Sequence, residues 1–259
     1  MMPAGSTPTG GSGRSNNIQE VCMKAILFDL DGSLLPMDQD GFVGHYFKLL
    51  GEMMSALGYD PKASVKAVIA GTKAMSVNDG SKTNEEAFWE VFGGLLGEGV
   101  RACEPDFDRF YRTEFEKTRA FASPTPLAKE IISVVKAKGY RTALATNPIF
   151  PRVATLARLR WAGLSEQDFE LISTYEGFRF SKPNPGYYGQ VLDIMGLMPM
   201  DCLMAGNDIG DDAVALDMGM DFFLLTDCLI NRDGRDITPF EKGTLQEFLH
   251  FAKNLPVVG

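Results

Sequence analysis

The chain has 259 residues, 45% of them hydrophobic and 23% charged, enough to bury one large core or a core carrying an insertion. A formal net charge of −9 with no Lys/Arg-rich stretch excludes the electrostatic footprint of a nucleic-acid binder, and no apolar run is long enough to span a membrane. The same negative field repels anions at long range, so any phosphate site must create its own local positive charge.

Residues 1–22 are rich in Gly, Ser, Pro, Thr and Asn and lack the apolar centre of a signal peptide, so they read as a disordered tail, with Met23 as an alternative start. The cysteines (Cys22, Cys103, Cys202, Cys228) are scattered without C-x-x-C or zinc-like spacing and read as reduced thiols of a cytoplasmic protein. Ala25 to Phe28 is a short, continuous apolar run, which predicts a strand buried on both faces. It runs into Asp29-Leu30-Asp31-Gly32-Ser33: two carboxylates two residues apart, a glycine that permits a sharp turn, and a hydroxyl. Carboxylates held that close repel, so a cation between them or a raised pKa on one is expected.

After Ser33 the pattern turns helical. Val43, Tyr46, Phe47, Leu50, Met53, Met54 and Leu57 recur at helical spacing up to Gly58; Pro61 opens a second helix; Asn78-Asp79-Gly80 marks a turn. Thr83-Asn84-Glu85-Glu86 reads as a capping box, and a fourth helix follows Pro105 with Phe107, Phe110, Tyr111 and Phe115 on one side. This predicts an all-helical domain over 36–121. From Pro124 the texture alternates between helix and strand: helix 127–137, strand 141–145, a helix ending near Gly163, strand 169–172, helix 185–195, strand 202–205, a short helix from Gly210, strand 222–225 and a closing helix 245–251. Such βα alternation predicts a doubly wound parallel α/β sheet, formed by 23–35 and 122–259, with ligands at the carboxyl ends of the strands. Asp29/Asp31, Thr146/Asn147 and Asn207/Asp208 all fall at predicted strand ends.

Four short motifs in this order resemble those of the haloacid dehalogenase (HAD) superfamily, phosphatase type: Asp29-Leu30-Asp31-Gly32-Ser33, Thr146-Asn147, Lys182 within Ser181-Lys182-Pro183-Asn184-Pro185, and Gly206-Asn207-Asp208-Ile209-Gly210-Asp211-Asp212. The first departs from the family only in Ser33, where Thr is usual. The resemblance implies a Rossmann-like core with a helical cap between the first two motifs. It implies Asp29 as the nucleophile that forms an aspartyl-phosphate, Asp31 as general acid and base, and Lys182 as the neutralising cation. It also implies phosphate binding by Gly32, Ser33, Thr146, Asn147 and Lys182. Mg²⁺ would lie on Asp29, Asp208 and the Asp31 carbonyl, with Asp212 in support behind them. Taken singly, Lys182 reads as a surface lysine and Asp208 as a helix N-cap; the set of motifs outweighs those readings.

The expected activity is Mg²⁺-dependent hydrolysis of a small-molecule phosphate monoester, with no nucleic acid or membrane partner, by a monomer or homodimer. A phosphomutase with the same site and a non-catalytic phosphometabolite-binding protein are the alternatives. Asp31 speaks against dehalogenases, which usually lack an acid at that position. On the cap, Thr72, Lys73, Asn78, Arg109 and Arg112 are candidates to face the cleft, each more simply a solvated helix face. His45 and His250 read as structural, and Asp38 and Asp40 as solvated hinge residues.

Overall fold

The computed structural model describes residues 23–258; the predicted tail and Cys22 lie outside them. Six parallel strands form one sheet: β1 (Ala25–Phe28), β2 (Arg141–Leu144), β3 (Leu171–Ile172), β4 (Cys202–Gly206), β5 (Asp221–Leu225) and β6 (Glu241–Gly243), in the order β3-β2-β1-β4-β5-β6. Helices α5 (Pro126–Ala137), α6 (Arg152–Trp161), α7 (Pro185–Met195), α8 (Val214–Asp217) and α9 (Leu245–Asn254) cover its two faces.

The unbroken apolar run of β1 follows from its central position. Ile26 and Phe28 pack on one side with Ile131 and Ile132 of α5 and Phe248 and Leu249 of α9. Ala25 and Leu27 pack on the other with Tyr187, Tyr188 and Val191 of α7. Each such side chain contributes about 1.5–3 kcal/mol on burial. Phe28 stands level with Leu144 on β2 and with Ala205 on β4. The residues that follow these three strands therefore emerge together, at the point where the strand order reverses.

Between β1 and β2 lies the helical insert: α1 (Gln39–Ala56), α2 (Pro61–Ser76), α3 (Asn84–Leu96) and α4 (Glu104–Arg112). Local chemistry starts each of the first three. Asp38 and Asp60 cap α1 and α2, Pro61 occupies the first turn of α2, and Thr83 and Glu86 form the predicted capping box on α3. The two connections to the sheet run side by side. Met37 bridges Ala122, the Asp38 amide donates to the Phe121 carbonyl at 2.9 Å, and the Ser123 amide to the Pro36 carbonyl at 2.7 Å.

Two further ties hold the insert to the sheet. Phe115 stacks on Trp161 of α6 with ring centroids 5.4 Å apart, and Tyr46 meets Phe150 at 5.5 Å, so the insert's aromatic core continues into that of the sheet. The second tie is Asn84, which is fully buried. Its amide donates to the Pro148 carbonyl (3.1 Å), the Phe180 carbonyl (3.2 Å) and Ser181 Oγ (3.1 Å), while its Oδ1 accepts from Asn78 (3.0 Å).

Several boundaries differ from expectation. The helix after Pro105 stops at Arg112, and Phe115 sits in a tighter 3₁₀ turn over Glu114–Phe121, because Thr113 leaves helical geometry at φ −125°, ψ −81°. Strand β3 spans only Leu171–Ile172, since a 3₁₀ turn at Glu166–Asp168 occupies the approach. Residues after Gly210 form turns before the single-turn helix α8. Strand β6 was not expected, because Glu241-Lys242-Gly243 has no apolar run and pairs along one edge only.

Asn84→Ala removes the donor shared by two buried acceptors and one part-buried carbonyl, and one of the two acceptors of the Asn78 amide. A loss of about 2–3 kcal/mol is expected, read from the urea midpoint. A change below about 0.5 kcal/mol would mean that these bonds contribute nothing net.

Candidate active site

The carboxyl ends of β1, β2 and β4 open into a cavity of about 190 Å³ lined by Asp29, Asp31, Thr146, Asn147, Lys182, Asp208, Asp211 and Asp212. Asp29 follows β1 directly, and its amide donates to the Ala205 carbonyl at 2.9 Å. Lys182 is 3% exposed, not a surface lysine; its Nζ lies 3.1 Å from Asp29 Oδ1 and 2.6 Å from Asp212 Oδ1. The other Asp212 oxygen accepts from the Asp208 amide at 3.0 Å, which fixes the loop after β4. Gly206 makes room for this: a Cβ there would stand 2.2 Å from Asp212 Oδ2.

Gly32 and Ser33 do not line the cavity. Gly32 turns with φ +84° against Asn207, whose side chain would lie 2.4 Å from any Cβ. Ser33 is fully buried and donates to Asn207 Oδ1 at 2.9 Å, joining the loops after β1 and β4. Thr146 does line the cavity, with its carbonyl held by Ser173 Oγ (2.5 Å) and the Tyr187 hydroxyl (3.1 Å). The Asn147 amide reaches Asp211 Oδ2 at 3.3 Å.

None of the five cap candidates lines this cavity. Arg109 and Arg112 pair with Asp106 and Asp108 on the exposed side of α4, Lys73 is exposed, and Asn78 is committed to Asn84. Thr72 borders a neighbouring cavity. His45 packs near the Phe121 ring and His250 is exposed. Asp38 and Asp40 are exposed, Asp38 as a helix cap.

Two arginines at the site were not foreseen. Arg158 of α6 is 1% exposed, lies over the Phe150 ring at 4.4 Å and pairs through Nη1 with Asp31 Oδ2. Its signal was present in the sequence: Arg158 falls four residues after Ala154 and three before Trp161, on the apolar face of its helix. Arg232, after β5, reaches Asp208 Oδ2 at 2.8 Å with a largely exposed side chain. It comes from a loop with no pattern of its own, and no local signal marks it.

The cavity is short of positive charge. Burial raises the Asp29 carboxyl above its ordinary range, against the opposing charge of Lys182, and the neighbouring Asp31 adds to the rise. Burial likewise raises Asp31 against Arg158 and Lys182, raises Asp211, and lifts Asp212 to about 6. Burial alone would lower the Lys182 pKa, but the charges of Asp212 and Asp29 outweigh it and hold the ammonium protonated well above the usual lysine range.

Among the described residues no group of three or more His, Cys, Asp or Glu side chains is arranged to hold a metal by itself. The expected set asks less, two carboxylates and the Asp31 carbonyl, and that carbonyl accepts from Gln39, a residue of the cavity wall, at 3.1 Å. Hard oxygen donors, four carboxyls pushed upward and an unpartnered buried Asp31 Oδ1 together fit a hard divalent cation.

Residues 23–219 match the family of haloacid dehalogenase-like hydrolases. The chain belongs to that family. This hydrolase is 24% identical over 198 residues to the Bacillus subtilis (strain 168) protein named "Putative phosphatase YhcW", covering 76% of this chain and 81% of that one. Its fold is similar to that of a HAD phosphatase from Thermococcus onnurineus (TM-score 0.55, 18% identity, 91% of this chain and 100% of that one). The HAD-hydrolase YfnB of Bacillus subtilis, solved bound to magnesium, is similar at TM-score 0.51 and 20% identity (90% and 99% covered). So is the L-2-haloacid dehalogenase of Xanthobacter autotrophicus at TM-score 0.52 and 15% identity (90% and 99% covered). No helix among the described residues is long and apolar enough to cross a membrane.

Arg158→Met leaves the part-buried Asp31 carboxylate without its guanidinium, and a loss of about 2–3 kcal/mol at pH 7 is expected in urea unfolding. The gap between the proteins should narrow as the pH falls, because a protonated Asp31 no longer needs the charge. A loss that stays constant down to acid pH would contradict the pairing.

Proposed function

We propose that this hydrolase is a Mg²⁺-dependent phosphatase of small-molecule phosphate monoesters that acts through an aspartyl-phosphate on Asp29. The observation that carries the reading is the buried Lys182 ammonium, 3.1 Å from Asp29 and anchored on Asp212. Such a cation lowers the repulsion between an anionic nucleophile and an anionic phosphoryl group.

In the first step an Asp29 oxygen forms a bond to phosphorus as the ester P–O bond breaks, and the leaving oxygen takes a proton from Asp31. Burial of Asp31 favours the protonated form that this requires, and Arg158 keeps the same group able to ionise. In the second step the ionised Asp31 removes a proton from water, whose oxygen bonds to phosphorus and frees Asp29 and inorganic phosphate. Thr146 and Asn147, at the cavity wall, bind phosphoryl oxygens. Bound Mg²⁺ on Asp29, Asp208 and the Asp31 carbonyl would add the positive charge that the carboxylates leave wanting. Arg232, whose side chain is largely exposed, must then yield that oxygen. The helical insert serves as a cap that excludes bulk water, hinged on the paired segments at Met37 and Ala122. Activity on soluble metabolites in the cytoplasm fits this chemistry.

Asp31 favours this reading over dehalogenation, since only an ester leaving group needs a proton. With p-nitrophenyl phosphate and Mg²⁺, turnover is expected to vanish on chelation by EDTA and return with Mg²⁺. Asp29→Asn should lose at least about a thousandfold and Asp31→Asn about a hundredfold or more, less than with a poorer leaving group. Wild-type rates in Asp29→Asn would exclude the mechanism.

A further inference from the structure

Beside the carboxylate-lined cavity lies a second one of about 200 Å³, between the insert and the sheet. The two share Val43, Ile149 and Phe150 as a common wall. The second is bounded chiefly by Tyr46, Phe88, Trp89, Phe107 and Tyr111, and no Asp, Glu, Lys or Arg lines it. Its polar groups are few. The Tyr46 and Tyr111 hydroxyls bond at 2.9 Å, which leaves the buried Trp89 indole N–H as the one unpartnered buried side-chain donor on this wall among the described residues. Tyr46, Trp89, Phe107 and Tyr111 are all buried, and burial lifts the Tyr46 phenol to about 12.

We infer that this chamber receives the leaving group of the substrate, an uncharged, largely apolar alcohol about the size of one ring, while the phosphoryl group lies against Asp29. The inference rests on the phosphatase reading above and deepens it. A carboxylate or polyhydroxyl leaving group placed here would lose its water and find no cation and few free donors. The cations packed against its walls are engaged elsewhere: Arg158, over the Phe150 ring, pairs with Asp31, and Arg101, over the Trp89 ring, pairs with Glu104. An apolar ring, by contrast, gains from burial, and a dry apolar cavity of about 150 Å³ is known to accept benzene. Acidic and sugar leaving groups are thereby disfavoured for this chain.

The test compares alkyl phosphates that share a primary alkoxide leaving group, so that intrinsic reactivity is matched: benzyl phosphate against glycerol 1-phosphate, hexose 6-phosphate and phosphoglycolate. A kcat/KM for benzyl phosphate higher by at least about 30-fold is expected, most of it in KM. Thr72→Trp, which fills the chamber from α2, should bring the benzyl-to-glycerol ratio to within about threefold of one. Should that variant fail to fold, benzylphosphonate provides the second reading on the wild-type enzyme: it should inhibit competitively and at least about tenfold more tightly than methylphosphonate. Hydrolysis of all four esters at similar kcat/KM, or a preference for the hexose or the carboxylate, overturns the chamber's role and leaves the phosphatase reading standing. No turnover of any ester, p-nitrophenyl phosphate included, overturns both.

Discussion

Everything at this site depends on one buried ammonium. Lys182 touches Asp29 from β1 and Asp212 from the loop after β4, and it comes from the segment before α7. An unpaired lysine at 3% exposure would be costly, and so would either carboxylate without it. Each of the three segments therefore stays in place only while the others do. Asp212 passes the constraint on by accepting from the Asp208 amide, and Gly206 leaves the space Asp212 needs. Ser181, next to Lys182, is held in turn by Asn84 of the helical insert. The insert and Lys182 are thus joined through two adjacent residues.

The sheet supplies the common origin from which these groups emerge. Because β1 lies between β2 and β4 in matched register, Asp29, Thr146 and Asn207 follow three neighbouring strand ends. The surface carries net negative charge, yet the cavity receives Lys182, Arg158 and Arg232. These cations supply local positive charge that the net-negative surface does not, although the carboxylates around them still outnumber it.

The parts of this arrangement written in periodic or local chemistry were legible in the sequence. The apolar run of β1, the capping box at Thr83, the turn at Gly80 and the four motif segments all depend on near neighbours in the chain. What depended on distant partners was not. Ser33 reads as a phosphate-binding hydroxyl beside Gly32, but Asn207, far along the chain, takes its proton. Arg158 reads as one more charge on a helix until Asp31 is seen opposite it. Strand β6 exists because β5 offers an open edge, not because Glu241-Lys242-Gly243 prefers to be extended. The helix after Pro105 ends early where Thr113 turns away, although its aromatic spacing continues to Phe115.

The most direct measurement of the central claim is chemical capture of the phosphoryl group on Asp29. Acid quenching during turnover of p-nitrophenyl phosphate, followed by borohydride reduction and peptide mass spectrometry, converts an aspartyl-phosphate to homoserine at the residue that carried it. The account predicts homoserine at position 29 and nowhere else. Unmodified Asp29 under rapid turnover, or reduction at Asp31, Asp208 or Asp212 instead, would contradict it.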